Sequence, residues 1–292
     1  MNIKPKCSCN GGSYLRKPAW LKISRQNTEQ FARMHELVEH HNLHTICSSG
    51  RCPNQSECWS RGTATFMILG DVCTRGCRFC NTKTGVPLPP DVDEPSKLAE
   101  SIRIMQLKHA VITSVTRDDL PDGGAQHWGE CVRRIREVNP ETTIEVLIPD
   151  FEGRQADIAT ALAFRPDVVA HNLETVERLT PLVRAKATYR RSLEVLRYVA
   201  SLGFRTKTGI MVGLGETSDE VSALMDDALE AGCSVITIGQ YLQPSKQNVP
   251  VVEYVTPEQF AAYRDMALAK GFKFAESAPL VRSSYHAERH VG

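Results

Sequence analysis

The stretch Thr65-Phe-Met-Ile-Leu-Gly70-Asp-Val-Cys73-Thr-Arg-Gly-Cys77-Arg-Phe-Cys80 carries the strongest fold signal in the chain. It opens with an apolar run, residues 65–70, that is typical of a strand buried on both faces. Three cysteines follow at once, with three and then two residues between them, and Gly76 permits a tight turn. A buried strand that ends in a thiol-bearing loop predicts a metal or cluster site at the carboxyl end of a parallel sheet.

Five further apolar runs follow, and helical patterns separate them. The predicted strands are residues 65–70, 109–115, 143–148, 168–171, 207–213 and 235–241, and the predicted helices are residues 95–107, 127–138, 157–163, 192–202, 220–231 and 257–270. Six βα units in succession predict an α/β fold with a parallel sheet and its helices outside. Six units are too few for a closed eight-stranded barrel, which leaves a partial barrel or an open doubly wound sheet.

The composition is that of an ordinary globular protein. The 292 residues include 35 Lys and Arg against 34 Asp and Glu, so the formal net charge is +1. This balance argues against a broad nucleic-acid or membrane-binding surface. No apolar run approaches the ~20 residues of a spanning helix, and residues 1–20 lack the apolar segment of a secretory signal. We therefore expect a cytoplasmic protein with no nucleic-acid and no membrane partner.

The ten cysteines are concentrated early in the chain, six of them between residues 47 and 80. Such clustering without a secretion signal favours metal binding or catalysis over disulfides. Cys73, Cys77 and Cys80 can hold three corners of a four-iron cluster and leave the fourth iron open to a ligand. A structural zinc ion is the alternative, but it requires a fourth protein ligand, and none lies at a standard spacing.

A second cysteine triad precedes the first strand. Cys47, Cys52 and Cys58 are separated by four and five residues, and no fourth cysteine follows in register. Three nearby histidines offer a zinc alternative here, although solvated or core histidines are the more ordinary interpretation. These histidines are His40, His41 and His44. We expect Cys131 and Cys233 to be core residues, and we assign no role to Cys7 and Cys9.

The three-cysteine loop after the first strand resembles that of the radical S-adenosylmethionine superfamily. This resemblance implies a partial (β/α)6 barrel of TIM type and a 4Fe–4S cluster on Cys73, Cys77 and Cys80. It also implies that the open iron binds S-adenosyl-L-methionine, which one electron cleaves to give a 5′-deoxyadenosyl radical.

Near the C-terminus stands Arg282-Ser-Ser-Tyr285. With both cysteine triads, the stretch 114–125 and His171-Asn-Leu-Glu-Thr175, this motif resembles the lipoyl synthase family from residue 47 to residue 287. The resemblance implies a sulfurtransferase that inserts two sulfur atoms at carbons 6 and 8 of a protein-bound octanoyl-lysine.

The same resemblance implies that an auxiliary 4Fe–4S cluster donates the sulfur. Its ligands would be Cys47, Cys52, Cys58 and Ser284, although spacing alone does not separate Ser284 from Ser283. An alkoxide is a hard, basic ligand beside three thiolates, so it would protonate and leave more readily than they do. A cluster that is dismantled in the reaction benefits from one weak corner.

Further residues are implied as contacts of S-adenosylmethionine. Backbone at Gly123 and Gly124 would receive the amino group, although a plain turn is the alternative. The remaining implied contacts are Asn172 and Glu174 to the ribose, which could equally begin a helix, and Gly213, Gln240 and Tyr241 around the adenine. Arg117 and Arg184 could steer an acidic carrier or bind a carboxylate, but we expect solvated surface arginines.

Three regions are expected. Residues 1–60 form an N-terminal extension with the auxiliary cysteines, residues 61–245 the partial barrel, and residues 246–292 a helix and tail, both extensions covering the barrel mouth. The implied partners are octanoylated lipoyl carrier domains (E2 subunits and the glycine cleavage H protein), a ferredoxin or flavodoxin reductant and an iron–sulfur carrier protein. The alternatives are a zinc-stapled, non-enzymatic binding module and another sulfur-inserting enzyme that resembles biotin synthase, which would lack the extension.

Overall fold

The computed structural model describes residues 15–21, 29–40, 43–50, 52–60 and 64–291. Cys7, Cys9 and His41 lie outside these residues. The strands are β1 (His44–Thr45), β2 (Thr65–Ile68), β3 (Val72–Cys73), β4 (Lys83–Thr84), β5 (His109–Ser114), β6 (Thr143–Leu147), β7 (Val168–Ala170), β8 (Arg205–Val212), β9 (Cys233–Gln240) and β10 (Phe274–Ala278).

The α-helices are α1 (Glu29–His40), α2 (Ile46–Ser49), α3 (Gln55–Ser60), α4 (Glu94–Ile104), α5 (Ala125–Val138), α6 (Gln155–Ala161), α7 (Thr180–Val183), α8 (Tyr189–Ser201), α9 (Ser218–Glu230) and α10 (Pro257–Lys270). Short 3-10 turns lie at Ala19–Leu21, Phe151–Gly153, Glu177–Leu179 and Ala287–His290. No helix in the described part of the chain is long and apolar enough to cross a membrane.

The main sheet has eight strands in the order β1-β2-β5-β6-β7-β8-β9-β10. From β2 to β10 all neighbours are parallel, whereas β1 is antiparallel to β2. The sheet does not close on itself, because β1 and β10 are its two edges. The predicted partial barrel is thus confirmed, and all six predicted strands are present. The seventh parallel strand, β10, escaped prediction because every residue in Phe274–Ala278 is only half-buried and no apolar run marks it.

The helices pack against one face of the sheet. Alternate residues of β8, such as Ile210 and Val212, join the apolar core formed with α8 and α9. The intervening residues, such as Lys207 and Gly209, face the opposite, concave side. There the Lys207 ammonium pairs with the Glu145 carboxylate of β6, at 2.7 and 3.0 Å. The concave side of the barrel therefore contains buried charge, while the apolar core lies between sheet and helices.

Candidate cluster-binding sites

The Cys73 loop lies directly after β2, and the β3–β4 pair holds its base, with Cys73 opposite Thr84. The sulfur of Cys73 accepts the backbone N–H groups of Arg75 and Thr116, both at 3.4 Å. Burial raises the pKa of Cys77, and the nearby Cys80 raises it further. Burial likewise raises the pKa of Cys80, and the nearby Cys73 adds to this rise. The three thiols therefore lie near one another, and the raised pKa values keep Cys77 and Cys80 protonated, so metal binding at these two residues would release protons.

Arg75, inside this loop, fixes the loop to the ends of two strands. Its guanidinium donates two hydrogen bonds of 2.8 Å to Asp118 and lies 2.9 Å from the carboxylate of Asp150. Asp118 follows β5 and Asp150 follows β6, and Arg75 and Asp150 are buried. Asn248 adds a bond of 3.0 Å from its amide to the carbonyl oxygen of Cys80. These contacts fix the loop to the ends of β5 and β6 and to the segment around Asn248.

The second triad begins in α2, which the side chain of Thr45 caps by accepting the N–H of Ser48. The backbone N–H of Cys52 donates to the carbonyl oxygen of Cys47 at 2.9 Å. Burial, followed by the nearby thiol of Cys52, raises the pKa of Cys47 to about 11, while the backbone of Thr65 hydrogen-bonds its thiol. Cys47 therefore lies beside Thr65, the first residue of β2.

The direction of β1 determines which end of β2 the second triad is near. β1 pairs with β2 in antiparallel register, with His44 opposite Met67 and Thr45 opposite Phe66. The chain therefore runs from β1 toward the amino end of β2 before it reaches Cys47.

The C-terminal tail meets this triad. The Asn54 amide donates to the carbonyl oxygen of Leu280 at 2.7 Å. Burial raises the pKa of Cys52, and the positive charge of Arg282 opposes this by lowering it. The Thr65 hydroxyl donates to the Ser284 hydroxyl at 2.8 Å. The tail therefore contacts the second triad's segment through Asn54 and the first residue of β2 through Thr65, and the Thr65–Ser284 bond joins residues 219 apart in sequence.

Ser283 points elsewhere. Its hydroxyl accepts the Asn172 amide N–H at 2.7 Å. Asn172 also hydrogen-bonds the side chain of Glu174, which is held at a φ of +69° after β7. Burial raises the pKa of Glu174, whose carboxyl acts electrostatically on Cys77. Asn172 and Glu174 therefore bridge the tail and the first cysteine loop, and they do not begin a helix.

Other predicted site residues have packing contacts of their own. Gly124 adopts a φ of +86°, and a Cβ there would lie 2.6 Å from the side chain of Leu69. Gly123 has a φ of +63°, and a Cβ there would lie 3.1 Å from the ring of Phe151. A Cβ on Gly213 would lie 2.1 Å from the Gln240 amide nitrogen.

The Gln240 side chain is occupied by the backbone around it. Its amide donates to three carbonyl oxygens, those of Val212, Tyr241 and Glu253, at 3.0–3.1 Å. Its oxygen accepts the N–H of Val255 at 2.8 Å. These bonds assign Gln240 a loop-holding role, and its predicted contact with adenine stays a prediction.

The two arginines differ from expectation. Arg117 is only 1% exposed and binds Asp119 and the carbonyl oxygen of Leu69, so the prediction of a solvated side chain is wrong. Arg184 is half-buried, donates to Ser192 at 2.7 Å, and acts electrostatically on Cys77. The sequence neighbours of Arg117, Thr116 and Asp118, gave no local signal of its burial, because charged residues that follow a strand are usually solvated.

The remaining cysteines and the zinc alternatives can also be placed. Cys131 and Cys233 are buried, as predicted. None of the eight described cysteines forms a disulfide. Within the described residues, no group of three or more His, Cys, Asp or Glu side chains is arranged to hold a single metal ion. Triads of thiols are the donor sets that iron–sulfur clusters take, so both sites fit such clusters in their chemistry.

Solved structures with this fold are similar in architecture. They include Streptococcus suis SuiB bound to S-adenosylmethionine, with a TM-score of 0.59 and 8% identity over 78% of this chain and 55% of that chain. The hydrogenase maturase HydG from Carboxydothermus hydrogenoformans has a TM-score of 0.56 and 12% sequence identity, over 89% of this chain and 76% of that chain. Residues 67–228 match the family model of the radical SAM superfamily, which defines the class of this protein.

Curated relatives then narrow the class. The lipoyl synthase of Parabacteroides distasonis is 64% identical over 95% of this chain and 99% of its own length. Those of Bacteroides fragilis and Flavobacterium psychrophilum are 60% and 55% identical, over 95% and 94% of this chain and 96% and 95% of their own. The chain belongs to the lipoyl synthase family.

Proposed function

We propose that this lipoyl synthase family member inserts sulfur at carbons 6 and 8 of an octanoyl chain carried on a lysine of a lipoyl carrier domain. The observation that carries the proposal is the meeting of the Arg282–Ser284 tail with the second cysteine triad, through Arg282 beside Cys52 and Ser284 beside Thr65. A hydroxyl beside thiols is an unusual donor set, and chain segments more than 200 residues apart supply it.

Cys73, Cys77 and Cys80 would hold the cluster that binds S-adenosylmethionine, and Cys47, Cys52, Cys58 and Ser284 would hold the second. When bound, the first cluster would supply the electron for cleavage of S-adenosylmethionine and the second would supply sulfide. Unactivated C–H bonds require radical chemistry in a site that excludes water. The buried contacts of the Cys73 loop are consistent with that requirement.

Ser284 is the better ligand candidate of the two serines. Its hydroxyl contacts Thr65, whose backbone hydrogen-bonds Cys47, whereas the hydroxyl of Ser283 is bound to Asn172. The Thr65 hydroxyl is a donor in this contact, so it would stabilise a Ser284 alkoxide by a charge-assisted hydrogen bond.

Several substrate contacts are proposed from the resemblance together with position. Glu174 and Asn172 lie between the two triads and would contact the ribose. Arg184, beside Cys77, is a cation placed to bind a carboxylate. Gly123, Gly124, Gly213 and Gln240 would border the rest of the molecule. The proposed partners are E2 subunits and the glycine cleavage H protein as carriers, a ferredoxin or flavodoxin as reductant, and an iron–sulfur carrier protein.

Anaerobic reconstitution and incubation with an octanoylated peptide test the function. We expect about eight iron atoms per chain and a product heavier by two sulfur atoms. Cys77→Ala should abolish cleavage of S-adenosylmethionine. Cys52→Ala should retain cleavage and form no lipoyl product, and a lipoyl product from this variant would contradict the donor role. Stoichiometric zinc in place of iron would refute the whole proposal.

A further inference from the structure

The last described turn of the chain, Ala287–His290, lies among residues at the amino end of the barrel. His290 is fully buried, and its carbonyl oxygen accepts a hydrogen bond of 2.5 Å from Arg205. Its ring nitrogen Nδ1 lies 3.2 Å from the ammonium of Lys207, and its ring centroid lies 5.8 Å from that of Phe274. Arg205 and Lys207 lie near the start of β8, and Phe274 is the first residue of β10. The Ala287–His290 turn therefore lies at the amino end of the concave face.

The anchor for His290 is a fully buried ion pair. Lys207 is 0% exposed and Glu145 1% exposed in their side chains, and two bonds of 2.7 and 3.0 Å join them. An ammonium group only donates hydrogen bonds, so Nδ1 of His290 is the acceptor. Burial, with Lys207 nearby, lowers the pKa of His290 to about 3, so the ring is neutral and able to accept.

The tail is therefore held on both sides of Ser284. Upstream, Asn54 binds Leu280. The carbonyl oxygen of Val281 also approaches Gly239 closely, since a Cβ on Gly239 would lie 2.1 Å from that oxygen. Downstream, His290 binds the buried Lys207–Glu145 ion pair. It is the only side chain of the described Ala287–His290 turn that does so. A segment that is not tied down is poorly ordered, and a ligand on such a segment has a low effective concentration at its metal.

We propose that His290 is a positioning residue for the second cluster: its contacts with Lys207 and Arg205 fix the tail downstream of Ser284 and so keep Ser284 within reach of Cys47 and Cys52. This inference rests on the proposed role of Ser284 as a ligand. A purely structural role would lower stability everywhere, whereas a positioning role changes the tail and the second cluster specifically.

The first measurement uses the cluster-free full chain. Amide hydrogen exchange in residues 282–291 should be at least about tenfold faster in His290→Ala, because the anchor of the tail is gone. His290→Asn should restore most of the protection, since its side-chain oxygen can accept from Lys207. His171→Ala is the matched control: it also removes a buried histidine, but one bonded to Ile148 and Ser192, so exchange in residues 286–291, beyond the Asn172–Ser283 bond, should stay unchanged.

The second measurement uses the reconstituted chain in which Cys73, Cys77 and Cys80 are replaced by alanine, so that only the second site can load. Iron loss to a chelator should be at least about tenfold faster in His290→Ala, and the Mössbauer spectrum should resemble that of Ser284→Ala. Arg205→Met provides a second variant if His290→Ala does not fold.

The outcomes separate two failures. Unchanged tail exchange and iron loss in His290→Ala and Arg205→Met would overturn the positioning role. If Ser284→Ala itself leaves the spectrum and iron loss unchanged, the serine ligand of the proposed function is refuted instead, whatever His290 does to the tail.

Discussion

The buried ion pair of Lys207 and Glu145 allows a prediction whose size depends on pH. Lys207→Met removes the only ammonium that binds Glu145 among the described residues and leaves a carboxyl that is 1% exposed. An isolated buried carboxylate is so costly that the group takes a proton instead. Burial already raises the pKa of Glu145 in the intact pair, which is the direction this argument requires.

The cost of that proton sets the magnitude. An unfolded glutamate has a pKa near 4.3, so holding it protonated costs about 4 kcal/mol at pH 7 and about 1 kcal/mol at pH 5. A group whose folded pKa is raised contributes stability below its unfolded pKa and loses it as pH rises. The destabilisation by Lys207→Met should therefore grow by about 1.4 kcal/mol per pH unit above pH 5.

Urea unfolding of the reduced, cluster-free chain, followed by circular dichroism at pH 5, 6 and 7, measures this dependence. Lys207→Met with Glu145→Gln is the matched control, since glutamine has the same shape and does not titrate. Its destabilisation relative to the native chain should differ little between pH 5 and pH 7. A destabilisation by Lys207→Met alone that is equal at pH 5 and pH 7 would refute the reasoning.

Three further predictions concern the cysteine loop, a buried histidine and the tail. Arg75→Lys loses the two-bond contact with Asp118, so iron loss from the first site should be about tenfold faster in a chelator challenge. Burial lowers the pKa of His171 to about 4. The unfolded chain therefore takes up a proton at this residue before the folded chain does, so the free energy of unfolding falls by about 3 kcal/mol as the pH drops from 6.5 toward 4. Urea unfolding at pH 7 and pH 5 should show this, and His171→Leu should have a shallower pH dependence. Gly239→Ala places a Cβ 2.1 Å from the Val281 carbonyl oxygen and should cost about 3 kcal/mol, with faster proteolysis of the tail as the readout; an intact, protected tail would contradict the close approach.

The strands could be predicted because burial on both faces leaves a local trace. Predicted strand 109–115 corresponds to His109–Ser114, and 143–148 to Thr143–Leu147. Helix 257–270 was predicted at its observed bounds, since Thr256 caps it and Gly271 ends it. β10 lacked such a trace, because its residues are half-buried on an edge of the sheet.

The site could be predicted only in part. The cysteine triads are visible because their ligands are close in sequence, and the second serine of the tail was selected by resemblance. The bond from Thr65 to Ser284 spans 219 residues, and no local pattern encodes it. The same holds for the ion pair that joins Arg75 to Asp150 and for the burial of Arg117. Local patterns report residue type and period, whereas these contacts depend on how distant loops meet.

The bridge between the two edges of the sheet and the second site use the same part of the tail. The sheet is open between β2, with its partner β1, and β10. The tail that follows β10 crosses to the other edge by two bonds, Asn54 to Leu280 and Thr65 to Ser284. Anything that binds Ser284 and the cysteines together therefore favours the state in which the tail bridges the two sheet edges, by its own binding free energy. Release of Ser284 removes only one of the two bonds, so the Asn54–Leu280 contact keeps the opening bridged while the serine is free.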